Sequence, residues 1–133
     1  MARILIADDS DGHRQLMSYA LRHDGHQVSE AADGASALDL LTRDPFDLAM
    51  LDVMMPVLDG LTLCRILRAT PALHDLPIIV LSAEICEPEA RAAGADAFFS
   101  KPYRLAAVRA AVRMLVGDAD TGAHLAHERS SSA

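Results

Sequence analysis

The sequence predicts an α/β fold with a parallel sheet, because short apolar runs alternate with amphipathic stretches along the chain. Three solid apolar runs, at residues 4–7, 48–51 and 78–81, are each bounded by polar residues. Strands that are buried on both faces, as in parallel sheets, have this composition. Residues 27–31 alternate in polarity and residues 97–99 form a short run, so we expect these two strands at the sheet edges. Strand and helix patterns alternate five times, which favours parallel strands joined by right-handed crossovers.

Helical spacing of apolar residues predicts the intervening helices. Asp33 and Asp59 are candidate N-caps of the second and third helices, and Gly25 is positioned to end the first. The fourth helix has room only at about residues 87–93, with Pro88 acceptable in its first turn. The predicted core stripes of the other four helices are Leu16, Met17, Ala20 and Leu21; Ala37, Leu38, Leu40 and Leu41; Leu63, Ile66 and Leu67; and Leu105, Val108, Val112 and Leu115.

Length and composition predict one folded domain, at residues 1–116, followed by a tail. Residues 117–133 lack apolar periodicity and end in a serine run, so we expect them to be disordered. The net charge of −7 disfavours direct binding to DNA or to an anionic membrane. Apolar runs far shorter than the roughly 18 residues of a membrane span indicate a cytoplasmic protein. Cys64 and Cys86 lack the clustered spacing of a metal site and are too few for a disulfide framework.

Polar side chains follow four of the predicted strands. Asp8 and Asp9 follow the first strand, Asp52 ends the third, and Ser82 and Lys101 stand at the ends of the fourth and fifth. The carboxyl ends of parallel strands meet at one edge of the sheet, where open α/β folds bind ligands. This edge should gather three carboxylates, a hydroxyl and an ammonium group. Carboxylate oxygens suit Mg²⁺, and a carboxylate such as Asp52 can accept a phosphoryl group.

Each of these features also has a purely structural interpretation. Asp8 and Asp9 could cap a strand-to-helix turn. Asp52 could simply stabilise the turn that follows it, and Lys101 before Pro102 could be a solvated lysine. The functional interpretation is stronger because independent structural causes would have to coincide at successive strand ends.

Taken as a set, these motifs resemble the receiver domain of bacterial two-component response regulators. The resemblance covers residues 3 to about 116. It implies a flavodoxin-like, doubly wound, five-stranded parallel sheet of order 2-1-3-4-5, with helices on both faces. The segments that carry it are Ile4-Leu5-Ile6-Ala7-Asp8-Asp9, Leu51-Asp52-Val53-Met54-Met55-Pro56 with Asp59-Gly60, Leu81-Ser82-Ala83, Ala93-Gly94-Ala95-Asp96 and Lys101-Pro102.

The resemblance implies a role for each residue of the pocket. Asp52 looks like the phosphoacceptor, loaded by a partner histidine kinase or phosphotransfer protein. Asp8 and Asp9 look like Mg²⁺ ligands, together with Asp52 and the main-chain carbonyl of Met54. In this interpretation the chain is a signalling domain rather than an enzyme, and catalyses only its own phosphorylation and dephosphorylation.

The resemblance also implies a switch. Ser82 and Lys101 look like the pair that senses the phosphoryl group, and Phe98 occupies the position of the switch aromatic. The Lys101–Pro102 bond is similar to one that is usually cis. Met54 and Glu84 occupy the positions that tune phosphoryl lifetime, and we expect a long lifetime because Met54 cannot orient water by hydrogen bonding.

The segment from Ser82 to Gly94 is three residues shorter than the family pattern, which removes close to one turn of the fourth helix. That helix normally contributes to the output face, so the downstream protein target stays unknown. The last helix offers a candidate homodimer surface. It comprises Ala107, Ala110, Ala111 and Met114, edged by Arg109 and Arg113.

The leading hypothesis is a stand-alone receiver that signals to a partner protein or passes the phosphoryl group along a relay. A receiver separated from a longer multidomain regulator is the alternative. A Mg²⁺-dependent phosphatase of the D-x-D type is disfavoured because Met54 replaces its general acid. A flavodoxin-like cofactor binder is disfavoured because the turn after the first strand is acidic. A metal site at His124 and His127, which could share a helical face, is disfavoured because both residues lie in the expected tail.

Overall fold

The computed structural model describes residues 1–85 and 87–117, in which strands and helices alternate along the chain. The strands are β1 (Arg3–Ala7), β2 (Gln27–Ala31), β3 (Leu48–Asp52), β4 (Ile78–Ser82) and β5 (Ala97–Ser100). The helices are α1 (Asp11–His23), α2 (Gly34–Arg43), α3 (Gly60–Ala69), α4 (Glu87–Ala93) and α5 (Leu105–Val116). The predictions for Cys86, for the tail beyond Gly117 and for its two histidines lie outside the described residues.

The five strands form one parallel sheet of order β2-β1-β3-β4-β5, which confirms the predicted class and order. The alternating β2 and the short β5 lie at the two edges, as expected. In the register, Ala7 pairs with Leu51 and Ser82 pairs with Ser100. The carboxyl ends of β1 and β3 are therefore side by side.

Local sequence signals define the helix ends. The carboxylates of Asp33 and Asp59 accept hydrogen bonds from backbone N–H groups in the first turns of α2 and α3, which confirms both predicted N-caps. Gly25 follows the end of α1 with φ of +94°, a conformation that glycine adopts easily. α4 is seven residues long and has Pro88 in its first turn, as predicted from the short segment between Ser82 and Gly94.

Two apolar clusters cover the two faces of the sheet. Leu5 of β1 belongs to the cluster under α2, α3 and α4, and its neighbours Ile4 and Ile6 belong to the cluster under α1 and α5. Alternate residues of a strand point to opposite faces, so each central strand contributes to both clusters. Helices therefore lie on both faces, as a doubly wound fold requires.

Two predictions about helix faces were wrong. Leu16 was placed in the core stripe of α1 but is 59 % exposed, because one residue along a helix rotates the side chain by about 100° from the buried Met17. Ala111 was placed on the open surface of α5 but packs against the second cluster. Arg109, expected at the edge of that surface, instead pairs with Asp24 at the end of α1.

Within residues 1–85 and 87–117, no helix has both the length and the apolar character needed to cross a membrane.

Candidate functional site

Three carboxylates meet at the carboxyl edge of the sheet. Asp8 directly follows β1 and Asp52 is the last residue of β3, and these strands are hydrogen-bonded neighbours. One oxygen atom from each of Asp8, Asp9 and Asp52 lies within 4.8 Å of the others. Asp8 and Asp52 are buried, whereas Asp9 is exposed and leaves the cluster open to solvent on one side. The structure thus brings together the three acids that the strand ends indicated.

Lys101 places its ammonium group among these acids. Its Nζ lies 3.2 Å from Oδ1 of Asp52 and 3.7 Å from Oδ2 of Asp8. The backbone N–H of Lys101 donates to the carbonyl of Ser82, which ties the end of β5 to the end of β4. The Lys101–Pro102 peptide is cis, as expected.

The pocket holds more negative charge than its lysine can balance. Burial raises the pKa of Asp52, and the neighbouring charge of Asp8 raises it further, while Lys101 acts in the opposite direction. Burial alone would lower the pKa of Lys101, but Asp52 and Asp8 outweigh it and the net shift is upward, so the ammonium stays charged. Two carboxylates about 5 Å apart repel by roughly 3 kcal/mol at an effective dielectric of 20.

The donor set fits a hard divalent cation. Mg²⁺ prefers a few carboxylate oxygens and retains several waters, and here three carboxylates adjoin an opening to solvent. Asp8 and Asp9 do not cap α1, because the N-cap is Ser10, whose hydroxyl accepts from the N–H of His13. The Asp8 carboxylate instead accepts a hydrogen bond from the N–H of Ser10 at 2.9 Å, which shapes the turn that leads into α1.

The start of α3 packs closely against the backbone of Asp52 at the end of β3. A Cβ atom at Gly60 would lie 2.3 Å from the main-chain oxygen of Asp52, so only glycine allows α3 to begin this near to β3. The N–H of Gly60 donates to the carbonyl of Val53 at 3.0 Å. In the same loop Val57 has φ of +72°, a strained conformation for a β-branched residue.

Within the described residues, the other predicted site residues form no hydrogen bond with the side chains of the three acids. Ser82 is fully buried, and its hydroxyl accepts from the N–H of Glu84 at 2.8 Å. Phe98 is half-buried and packs against the first apolar cluster. The side chains of Met54 and Glu84 are exposed. The switch and lifetime roles of these residues, and the metal contact of the Met54 carbonyl, stay predictions.

Sequence reasoning missed two features of the surroundings. Tyr103 is half-buried, and burial is the largest cause that raises its pKa. It lines a cleft of about 400 Å³ beside the pocket, and the other lining residues are His13, Leu16, Ala83, Lys101 and Pro102. Arg14 donates to the carbonyl of Asp8 at 2.7 Å. Neither residue belongs to a motif, and only its spacing from the strand end could have drawn attention to it.

Residues 4–113 match the family model of the response regulator receiver domain.

Curated relatives include the response regulator MprA of Mycolicibacterium vanbaalenii and that of Mycobacterium avium. Each is 44 % identical over 117 residues, which is 86 % of this chain and 50 % of the relative. The chain thus spans about half the length of these relatives.

Solved structures similar to this fold include the Francisella response regulator 1452 receiver domain, with a TM-score of 0.82 and 30 % identity over 87 % of this chain and 97 % of that one. Another is the chemotaxis response regulator CheY4 of Vibrio cholerae, with a TM-score of 0.80 and 31 % identity over 86 % and 98 % of the two chains. A third is the receiver domain of the sensor histidine kinase PA1611 of Pseudomonas aeruginosa, with a TM-score of 0.80 and 28 % identity over 88 % and 98 %. That structure holds a magnesium ion coordinated in its active-site cleft.

Proposed function

We propose that this chain, which belongs to the response regulator receiver domain family, accepts a phosphoryl group on the carboxylate of Asp52. The observation that carries the proposal is the position of that carboxylate. It is buried at the end of a central strand, 3.2 Å from the Lys101 ammonium and grouped with Asp8 and Asp9. Receiver domains are signalling domains, so the product is a signal rather than a released metabolite.

In the proposed reaction a carboxylate oxygen of Asp52 attacks the phosphorus of a phosphohistidine. A P–O bond forms, the P–N bond breaks with its electron pair going to the imidazole, and Asp52 becomes an acyl phosphate. Lys101 is placed to pair with the transferred oxygens, because its ammonium already lies between Asp52 and Asp8. Phosphoryl transfer depends mainly on positioning and charge neutralisation, which this pocket can supply.

Asp8, Asp9 and Asp52 would hold Mg²⁺, with the main-chain carbonyl of Met54 as a further ligand. When bound, the ion would neutralise the carboxylates and the phosphoryl oxygens. The excess of negative charge in the pocket supports this assignment, since one lysine faces three acids. The magnesium ion in the PA1611 receiver domain supports it by analogy.

The phosphorylated state would switch the conformation through Ser82 and Phe98. The hydroxyl of Ser82 would leave the N–H of Glu84, which it now accepts from, and donate to a phosphoryl oxygen. Phe98 would then move further into the space beside β4. This ring lacks a hydroxyl, so it would act through packing alone.

A histidine kinase or phosphotransfer protein is the proposed donor, in the cytoplasm, and a downstream protein is the proposed target. Because the chain spans about half of its MprA relatives, a receiver that belongs to a longer regulator is the second candidate. In that case the output, including any contact with DNA, would belong to the other half.

Labelling with acetyl phosphate and Mg²⁺ tests the central proposal. We expect an acyl phosphate on the wild-type chain, detected by intact mass and by lability to hydroxylamine, and none on Asp52→Asn. Asp75→Asn, at a side chain that is 90 % exposed, is the matched control and should label normally. Labelling that survives in Asp52→Asn would sink the proposal.

Lifetime is a separate test. Met54→Asn introduces an amide that can orient water near the acyl phosphate, so we expect faster dephosphorylation in a radiolabel or phosphate-release assay. An unchanged rate would remove Met54 from the list of tuning residues and leave the role of Asp52 intact.

A further inference from the structure

Arg14, near the start of α1, links residues 8–11, here called the acidic turn, to β2. Its side chain is only 12 % exposed. Nη1 donates to the carbonyl of Asp8 at 2.7 Å, Nη2 to the carboxylate of Asp11 at 2.6 Å, and Nε to the carboxylate of Glu30 at 3.0 Å. Three acceptors on three separate parts of the chain thus hold one planar guanidinium, a geometry that lysine cannot reproduce.

The contact with the Asp8 carbonyl bears on Asp9. That carbonyl belongs to the peptide group between Asp8 and Asp9, and a peptide group is planar. The hydrogen bond from Arg14 to the Asp8 carbonyl oxygen therefore restrains the orientation of this peptide plane. Through that plane it also restrains the direction of the Asp9 side chain. Asp8 has further restraints, because its carboxylate accepts from the Ser10 N–H and faces Lys101. Asp9 is exposed, so packing contributes little to its position.

Glu30 connects this arrangement to the sheet. It lies on β2, paired in register with Ile6 of β1, and so stands on a rigid element beside the acidic turn. Arg22 approaches the other oxygen of Glu30 at 3.5 Å, but its side chain is 53 % exposed, and its own backbone contact is with Val28. Arg22 therefore shares the carboxylate without reaching Asp8.

We propose that Arg14, held by Glu30, is a positioning residue that fixes Asp9 for binding of the divalent cation. This inference rests on the proposed function, since it concerns the same metal site. It adds a residue outside the pocket on which cation affinity depends.

Charge and geometry predict opposite results at this position. Arg14 is a cation near the metal site, so its removal should tighten cation binding if electrostatics alone matter. The effect would be larger because Asp11 and Glu30 would lose their partner. If Arg14 acts by holding the Asp8–Asp9 peptide, its removal should weaken binding in spite of the lost positive charge. Outer-shell partners of metal ligands commonly change affinity by roughly 10–100-fold.

The experiment measures the Kd of Mn²⁺, a spectroscopic stand-in for Mg²⁺, by counting free Mn²⁺ with electron paramagnetic resonance. We expect Arg14→Gln to raise the Kd about tenfold. Arg14→Lys keeps the charge but loses the three-way geometry, and should raise the Kd as well. Arg22→Gln is the matched control, because it removes one positive charge from the same acid without touching Asp8. Its Kd should stay unchanged or fall slightly.

A double variant separates positioning from general loss of structure. If Glu30 acts through Arg14, then Glu30→Gln should raise the Kd by itself but add nothing in the Arg14→Gln background. Circular dichroism at the titration temperature establishes that each variant is folded. Should Arg14→Gln unfold, Arg14→Lys and Glu30→Gln carry the comparison.

The outcomes distinguish the two proposals. A Kd in Arg14→Gln and Arg14→Lys that is equal to or below the wild-type value would overturn the positioning role, while normal labelling of Asp52 would leave the proposed function standing. A wild-type chain that binds Mn²⁺ with the predicted dependence on Arg14, yet is never labelled on Asp52, would overturn the proposed function alone.

Discussion

The two ends of the sheet differ in how their charged side chains are paired. At the carboxyl edge, formed by the end of β3 and the residues that follow β1 and β5, Asp8, Asp9 and Asp52 lie together, and the Lys101 ammonium pairs with Asp52 and Asp8. At the amino edge, where β4 and β5 begin, Arg68 donates to the carbonyls of His74, Leu76 and Gly94 and to the carboxylate of Asp96. That carboxylate also accepts from the N–H of Ile78 at 2.8 Å.

The difference separates stability from function. At the amino edge the charged groups form hydrogen bonds with backbone groups at and before the starts of β4 and β5, which stabilises the fold. At the carboxyl edge the Asp52 carboxylate is buried and lies beside like charges, and its raised pKa indicates that both cost stability. A ligand with positive charge would offset that cost, which is consistent with the proposed cation site at this edge. Substitutions at the two edges should therefore have opposite effects on stability.

The largest expected effect is at the amino edge. Arg68→Met keeps much of the side-chain stem but removes four donors, and should lower the free energy of unfolding by about 3 kcal/mol. Urea unfolding followed by circular dichroism measures it. Arg65→Met, on the exposed side of the same helix, should cost under about 0.5 kcal/mol. Equal effects of the two substitutions would contradict the structural role of Arg68.

Gly94 gives a sharper test of the same edge. Its φ is +111°, and a Cβ there would lie 2.5 Å from Cγ of Arg68. Gly94→Ala should cost about 2 kcal/mol, roughly half from the backbone conformation and half from displacing the Arg68 side chain.

Gly25→Ala is the control for Gly94→Ala, because Gly25 has φ of +94° and nothing within 4 Å of its Cβ position. It should cost only about 1 kcal/mol. In an Arg68→Ala background, which removes the Cγ atom that a Cβ at Gly94 would meet, the two alanine variants should become similar. A difference that persists there would show that Arg68 is not its source.

At the carboxyl edge the sign reverses. Asp52→Asn removes one of the mutually repelling charges and should raise the free energy of unfolding by about 1 kcal/mol in a metal-free buffer at pH 7. The folded-state pKa of Asp52 is above the unfolded value, so its charge opposes folding at neutral pH and ceases to do so as the pH falls through the folded pKa.

Asp47→Ala is the amino-edge counterpart of Asp52→Asn. The Asp47 carboxylate accepts from the N–H of Arg3 at 2.8 Å, so its loss should lower the free energy of unfolding by about 1 kcal/mol. If both substitutions destabilise the protein, the contrast between the two edges fails.

The smallest expected effect involves His26, near the start of β2. Its Nδ1 accepts a hydrogen bond from the N–H of Ala2 at 3.2 Å, and burial is the largest cause that lowers its pKa. The unfolded chain therefore binds a proton at a higher pH than the folded chain does. The free energy of unfolding should fall as the pH drops from about 7.5 towards the folded pKa. We expect His26→Gln to flatten this slope, which a series of urea unfolding curves over that pH range would measure.

Much of the fold and of the pocket could be predicted, because their signals are local in the chain. The solid apolar run at residues 48–51 and the alternation at residues 27–31 predicted a central and an edge strand, which the strand order confirms. Asp8 and Asp52 could be placed together because each ends a parallel strand. The face of a helix was harder, and Leu16 was misplaced because its neighbour Met17 starts the buried stripe.

By itself the sequence determined the class of fold and which acids share an edge, since periodicity and strand ends are properties of neighbouring residues. Only the tertiary structure decided which side chains pair with one another. Arg14 of α1 pairs with Glu30 of β2, and the Ser82 hydroxyl accepts a hydrogen bond from the N–H of Glu84. Arg109 pairs with Asp24, which lies 85 residues away along the chain. Side-chain hydrogen bonds and ion pairs act over a few ångströms in space, and no spacing along the chain encodes distances between separately packed elements.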